Sequence, residues 1–191
     1  MALCIEHPDV AESLFNLACL YSTQGRFKEA ISLHERALAV REKSLGTEHV
    51  AVADSLDRLG KLYVISANVD KLNVDKLAEA KRCHERALAI RKKTFGTDHP
   101  QMAESLEGVA FVHLLQDKDT EAESLRLRAL EILEKTLGPE HPETVKSLAK
   151  LAEHYRIMNR GKAVQRYKQL LAIEEKRLRP DHSVGICPVF S

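Results

Sequence analysis

The chain has 191 residues, of which 44% are hydrophobic and 30% charged, and its formal net charge at pH 7 is +1. This composition is typical of a folded globular protein and excludes a largely disordered or collagen-like chain. The balanced charge argues against proteins that bind nucleic acid or membrane surfaces through a strong basic field. No stretch approaches the roughly 20 apolar residues of a membrane-spanning helix. Glu6 precedes any long apolar run, so no secretory signal is predicted either.

The four cysteines are scattered along the chain. Cys4, Cys19, Cys83 and Cys187 include no Cys-x-x-Cys pair, which is the spacing of many zinc and redox sites. Isolated cysteines of this kind are typical of proteins in a reducing compartment. We therefore expect free thiols and a cytoplasmic location.

The strongest pattern in the sequence is an internal repeat. His7, His49, His99 and His141 lie 42, 50 and 42 residues apart, and each opens a similar unit. A repeat of this length indicates a solenoid, in which each unit buries its apolar face against its neighbours. A small residue follows eleven positions after each histidine, which favours close packing of helices: Ala18, Gly60, Ala110 and Ala152.

Each unit contains two helical patterns. In the first unit an apolar stripe at helical spacing runs from Val10 to Tyr21. Pro8 suits the first turn of this helix because its missing N–H is unpaired there, and Gly25 suits the end. The second pattern runs from about Phe27 to Lys43. The sequence therefore predicts an all-α fold of antiparallel helix pairs.

We expect a single solenoid domain made of four repeats. The repeats span residues 7–48, 49–98, 99–140 and 141–181, with a lead at 1–6 and an irregular tail at 182–191. The second repeat is longer because NVDKL occurs twice in succession, from Asn68 to Leu77. The insertion either protrudes from the turn or lengthens a helix by about two turns. A docking loop is the functional alternative.

The helix motifs resemble the tetratricopeptide repeat. The first helix carries L-[AG]-x-x-Y and the second A-x-x-x-H-x-x-A-L, at 17–21 and 30–38 and again at 59–63 and 80–88. The 42-residue unit with its [LF]-G-x-[DE]-H joint is similar to the repeats of kinesin light chains and nephrocystin-3. This resemblance implies a right-handed superhelical solenoid of four antiparallel helix pairs, whose first helices line a concave groove for a partner peptide.

The resemblance also implies which residues contact the partner. In kinesin light chains an Asn just before the L-A pair contacts the ligand backbone. Here only Asn16 retains it, and its equivalents are Arg58, Gly108 and Lys150. The predicted groove residues are Glu12, Asn16, Cys19, Asp54, Asp57, Arg58, Lys61, Glu104, Glu107, Phe111, Lys146, Lys150 and Glu153.

The sequence predicts no catalytic residue, no metal site and no cofactor. The opening histidines are one repeat apart, about 10 Å between packed helices, whereas zinc ligands lie about 2 Å from one ion. We interpret them as helix-start residues whose rings bond local backbone, and His34 and His84 as packing residues. The repeated serines show no convergent base, and the single glycines form no phosphate-binding loop.

The predicted function is a non-catalytic scaffold that binds a peptide or helical segment of a partner protein. One alternative is a self-assembling array that forms homo-oligomers through uncapped solenoid ends. Another is a sensor or regulatory part of a larger protein. Basic residues enrich the last repeat, which makes an acidic peptide a minor alternative, but no specific nucleic acid is expected.

Overall fold

The computed structural model describes residues 7–69, 73–158 and 160–178, and these residues form eight α-helices without a β-strand. The all-α prediction is confirmed. The predicted lead at 1–6 and tail at 182–191 lie outside the described residues. In chain order the helices are α1 (Pro8–Thr23), α2 (Phe27–Leu45), α3 (Val50–Val69), α4 (Val74–Phe95), α5 (Pro100–Leu114), α6 (Asp119–Leu137), α7 (Pro142–Met158) and α8 (Arg160–Leu178).

A histidine caps the start of each first helix. His7 lies before α1 in extended backbone, and its Nδ1 accepts a hydrogen bond from the Asp9 N–H at 3.3 Å. The opening histidines of the other repeats make the same bond at 3.2 to 3.3 Å. Each bond satisfies an N–H of the first turn that has no partner within the helix. As predicted, the rings bond local backbone.

The chain folds as two compact units, Met1–Ile132 and Leu133–Ser191, with the division inside α6. In the first unit α1 pairs with α2 and α3 with α4, while α2 also packs on α3 and α4 on α5. In the second unit α7 pairs with α8. The helices thus fall two to each predicted repeat, and the repeat bounds themselves stay a prediction.

Small residues allow the helix backbones to approach each other. In the core of the first unit, Leu56 and Leu59 of α3 pack with Ile90 of α4, and Ile31 and Leu38 of α2 cover this cluster. Burying each large aliphatic side chain contributes roughly 2 kcal/mol. The close approach itself depends on small buried residues on both helices of each repeat: Ala18, Ala30, Gly60, Ala80, Ala110, Ala122, Ala152 and Ala163.

The duplicated NVDKL segment lengthens two helices rather than one. α3 has 20 residues and α4 has 22, against 16 in α1 and 19 in α2. The first copy begins inside α3, whereas Asn73 of the second copy caps α4 by accepting a bond from the Lys76 N–H at 3.1 Å. Leu77 is buried against Val64 and Val112, so the added turn extends the core.

Candidate interaction surface

Most of the predicted groove residues lie on an exposed stripe of the first helices. Its positions follow each opening histidine by five, nine and twelve residues, a spacing that places them on one helix face. An ion pair between Lys61 Nζ and Glu104 Oε1, 2.6 Å long, joins α3 to α5 across the stripe. The first-helix stripe of the first unit comprises Glu12, Asn16 and Cys19 on α1, Asp54, Arg58 and Lys61 on α3, and Glu104 and Phe111 on α5; Cys19 is half-buried and the others are exposed.

Charge is ordered along this stripe. The position five residues after the histidine is acidic in all three repeats of the unit, as Glu12, Asp54 and Glu104. Arg58 lies beside this acidic row, and Phe111 is 41% exposed. The stripe therefore offers acceptors for a basic side chain, one guanidinium donor and one aromatic contact.

Two predicted groove residues are not on the accessible surface. Asp57 and Glu107 are both buried, so their assignment to the groove was wrong. Both carboxylates can be buried because each has a partner on the second helix of the same repeat, an imidazole in one case and a guanidinium in the other. Asp57 contacts His84, and Glu107 lies 3.8 Å from Arg126. A carboxylate with such a partner can be buried, whereas a solitary one would stay in water.

Asp57 is the centre of a buried polar network between the second and third repeats. Its Oδ1 lies 2.8 Å from His84 Nδ1, and its Oδ2 accepts hydrogen bonds from Arg91 Nη1 and from Ser105 Oγ, the latter at 3.0 Å. Arg91 Nη1 also donates to Ser105 Oγ. These residues belong to α3, α4 and α5, so the network joins three helices.

The network keeps its acid and its base charged. Burial by itself raises the pKa of Asp57, but the hydrogen bond from His84 and the charge of Arg91 outweigh this and lower the pKa below its ordinary value. Burial likewise acts to lower the pKa of Arg91, and the neighbouring Asp57 and Asp54 carboxylates raise it overall. Removing one member would leave a buried charge without its partner, which typically costs about 3–5 kcal/mol.

Two glycines make room for the His84 ring. A Cβ added to Gly60 on α3 would lie 2.6 Å from His84 Nε2, and one added to Gly108 on α5 would lie 2.4 Å from Nδ1. Carbon atoms do not approach nitrogen this closely without a bond between them. The imidazole therefore fits between the two helix backbones only because both positions lack a side chain.

The buried network also orients carboxylates on the stripe. Arg91 Nη2 donates to Asp54 Oδ1 at 2.8 Å and lies 3.8 Å from Glu104 Oε2. The guanidinium is buried while Asp54 and Glu104 are about half exposed. A cation fixed in the interior thus holds two surface acceptors in defined positions.

This network was not predicted from the sequence, because residue types alone do not show which side chains meet. His84 was correctly interpreted as a packing residue, but its acid partner and Arg91 were not recognised. A signal was present in the comparison of repeats. The position of Asp57 holds Phe15 in the first repeat, Glu107 in the third and Ala149 in the fourth, so an acid occurs there only in the two middle repeats.

The first repeat has a different pair at the equivalent positions, buried His34 and half-buried Phe15. His34 packs edge-on against Phe15, with 5.0 Å between ring centroids. Burial, with the nearby charges of Arg58 and Arg41, lowers the pKa of His34 to about 4. Arg41 Nη1 donates to Ser55 Oγ at 2.6 Å, just as Arg91 donates to Ser105 one repeat later.

In the second unit the predicted groove residues Lys146, Lys150 and Glu153 are exposed on α7. Glu153 accepts hydrogen bonds from Arg156, the shorter at 2.6 Å, and from the Tyr167 hydroxyl at 3.0 Å. These bonds, first from Arg156 and then from Tyr167, lower the pKa of Glu153 to about 2. Glu153 is therefore anionic throughout the physiological range.

The described part of the chain also bears on metal binding and membrane insertion. No group of three or more histidine, cysteine or acidic side chains within it is arranged to hold a metal ion. None of its helices is both long and apolar enough to cross a membrane. Shallow depressions occur on α6 around Ser124 and Leu127, and on α1 around Leu14 and Leu17.

Comparison with known families identifies the repeats. Tetratricopeptide-repeat models match residues 10–51, 69–125 and 101–176. No curated protein has a significantly similar sequence.

Solved structures show the same relationship. A structure of nearly identical TPR-like repeats assigned to a kinesin light chain of Podosopora anserina is 29% identical, with a TM-score of 0.73 over 94% of this chain and 82% of that one. BtubC (BKLC) from P. vanneervenii shares the fold at 18% identity, with a TM-score of 0.75 over 97% of this chain and 73% of that one. The apo form of RapI shares it at 18% identity, with a TM-score of 0.70 over 87% and 56%.

The repeat motifs, the helix pairs and the matches to more than half of the chain lead to one conclusion. The chain belongs to the tetratricopeptide-repeat family and has an all-α, solenoid-type fold with repeats of the kinesin light chain type.

Proposed function

We propose that the protein is a non-catalytic scaffold whose first-helix stripe binds an extended segment of a partner protein. The observation that carries this proposal is the pair of carboxylates, Asp54 and Glu104, that buried Arg91 orients on the surface. Groups held in place before binding lose little freedom when the partner arrives, which favours affinity. Membership of a family of interaction scaffolds supports the same conclusion.

The chemistry of the stripe indicates what the segment contains. A basic side chain of the partner would lie along the acidic row of Glu12, Asp54 and Glu104, and an apolar side chain would pack on Phe111. Arg58 would bond a backbone carbonyl. Ordering a flexible segment costs free energy, so we expect a Kd on the order of micromolar. In the second unit, exposed Lys146, Lys150 and Glu153 are proposed to contact the partner as well.

The test is selection of binding peptides from a displayed random library, followed by titration of the enriched peptides. Substituting three stripe residues together, Asn16→Ala, Arg58→Ala and Phe111→Ala, should weaken binding by about 10- to 100-fold, because contact residues commonly contribute about 1 kcal/mol or more each. All three are exposed, so helicity should be unchanged.

A matched control changes a polar residue, an arginine and a large apolar residue on the second helices: Ser32→Ala, Arg36→Ala and Leu127→Ala. These positions are exposed too, and the control should bind within about twofold of the native chain, since surface residues outside a contact contribute little. Equal affinity of the stripe variant and the native chain would refute the proposal.

The cytoplasm is the proposed compartment. Cys19 and Cys83 are both free thiols, and burial raises the pKa of Cys83 to about 12. Free thiols are typical of reducing compartments. Imaging of a fluorescent fusion in the native cell would test the location, and a secreted or luminal signal would contradict it.

A further inference from the structure

The face of α1 that lies next to the first-helix stripe repeats an interface found inside the chain. Ten and thirteen residues after the opening histidine, α3 has Leu59 and Leu62, which are only 3% and 4% exposed. α5 has buried valines at the same two positions. Leu59 lies in the cluster that Ile31 and Leu38 of α2 cover. This face of a first helix is therefore the side that the preceding second helix packs against.

In the first repeat no other helix of the described residues covers this face. Leu17 and Leu20 occupy the same two positions on α1 and are 41% and 58% exposed. Leu17, with Val10 and Leu14, also lines a shallow depression in the α1 surface. We call this the α1 face. Its residue types match those of the covered faces of α3 and α5, so it is built to be covered by a second helix.

A second helix with the complementary face is present in α8. Val164 and Leu171 correspond in the repeat to Ile31 and Leu38, the α2 residues that cover α3. Both side chains are 55% exposed. We call this the α8 face. The α1 face is thus equivalent to the α3 side of the junction between α2 and α3, and the α8 face is equivalent to its α2 side.

Charges at the junction edge are complementary as well. Inside the chain Glu42 of α2 forms an ion pair of 2.5 Å with Arg86 of α4, which links successive second helices. The equivalent of Glu42 on α8 is Glu175, and the equivalent of Arg86 on α2 is Arg36. Both are exposed. If α8 of one molecule lay on α1 of another, Glu175 would meet Arg36 with opposite charge.

We propose that the α8 face of one copy of this chain docks on the α1 face of a second copy, continuing the repeat junction between molecules. The net charge of +1 does not oppose this contact. The contact is head-to-tail, so a pair of molecules keeps one free face of each kind and association can continue beyond a dimer. One junction of this kind is small, so association is weak, with a Kd of roughly 10 μM to 1 mM.

The experiment measures molar mass by light scattering from about 1 to 500 μM, because association must respond to concentration by mass action. The native chain should rise above 21.5 kDa as concentration increases. Leu20→Glu removes the α1 face and Leu171→Glu the α8 face, so each variant alone should stay monomeric. An equimolar mixture should form dimers and stop there, since each molecule has one working face.

A charge exchange provides a second, milder test. Arg36→Glu and Glu175→Arg should each weaken association several-fold, and the double variant should recover it, since an exposed ion pair makes a small contribution. The stripe variant with Asn16→Ala, Arg58→Ala and Phe111→Ala should associate like the native chain, which separates this proposal from peptide binding.

Three outcomes would overturn the proposal. The first is a native chain that stays at 21.5 kDa at every concentration. The second is association of either glutamate variant alone, which would place the contact on another surface. The third is failure of the mixed variants to form a dimer, which would exclude a head-to-tail junction.

Discussion

At the scale of single residues, the junction between the second and third repeats depends on two glycines that make space and on a buried polar network that fills it. Gly60 and Gly108 supply the space that the His84 ring fills, and Asp57 supplies the acceptor that fixes the ring. Arg91 then balances the charge of Asp57 and extends to the surface carboxylates. At the equivalent positions of the first repeat, the His34 ring packs against Phe15 and no acid is present.

Gly108→Ala should destabilise the protein although alanine is the better helix former. The helix preference gains about 1 kcal/mol, but a methyl group placed 2.4 Å from the His84 ring forces the ring or the helix to move, at a cost of about 1–3 kcal/mol or more. We expect a net loss of about 1–2 kcal/mol in the free energy of unfolding, measured by urea titration.

The matching control repeats Gly108→Ala in a His84→Ala background. Without the ring the methyl group has room, so the substitution should be neutral or stabilising by up to about 1 kcal/mol. If Gly108→Ala costs the same in both backgrounds, the ring is not what requires the glycine.

At the scale of helices, the two copies of NVDKL show how position decides structure. The copies are identical in sequence, yet Asn68 lies inside α3 while Asn73 caps α4. Asn73 is also joined to the end of α3, because its N–H donates to the Ala67 carbonyl at 3.2 Å.

Asn73→Ala should therefore cost about 1 kcal/mol of stability, because the Lys76 N–H loses its acceptor. Asn68→Ala should cost nothing and should stabilise α3 by up to about 0.5 kcal/mol, since alanine favours helix. Thermal unfolding of the two single variants measures the difference. Equal losses would show that Asn73 does not act as the cap.

At the scale of the whole molecule, the neighbours of a repeat decide how much its side chains contribute to stability. The same repeat position holds Leu20 on α1 and Leu62 on α3, but only Leu62 is buried. In an array of repeats, stability comes from the junctions between neighbouring units as well as from each unit itself. A leucine contributes fully only where an adjacent helix covers it.

Leu62→Ala should lower the free energy of unfolding by about 2–4 kcal/mol, whereas Leu20→Ala should lower it by less than about 1 kcal/mol. Chemical unfolding at a low protein concentration, about 1 μM, keeps self-association out of the comparison. Equal losses for the two variants would mean that α1 is covered in solution even at that concentration.

The sequence by itself determined the fold class and the repeat structure. The features that predict them are local or periodic: helical spacing as from Val10 to Tyr21, histidine caps, and small residues at fixed positions. Each feature occurs again in every repeat. This redundancy is why the helix pairs could be predicted from the sequence. The stripe of the first helices was predicted from the resemblance to kinesin light chain repeats, and most of its predicted residues are exposed.

Only the tertiary structure decided which charged residues face water. Asp57 and Glu107 are polar residues on first helices, as the stripe residues are. They are nevertheless buried, because His84 and Arg126 approach them from the second helix of the same repeat. Those partners lie 27 and 19 residues away in the sequence, where local patterns carry no information about contact. The free energy of a buried charge depends on that contact, and it exists only once the helices have packed.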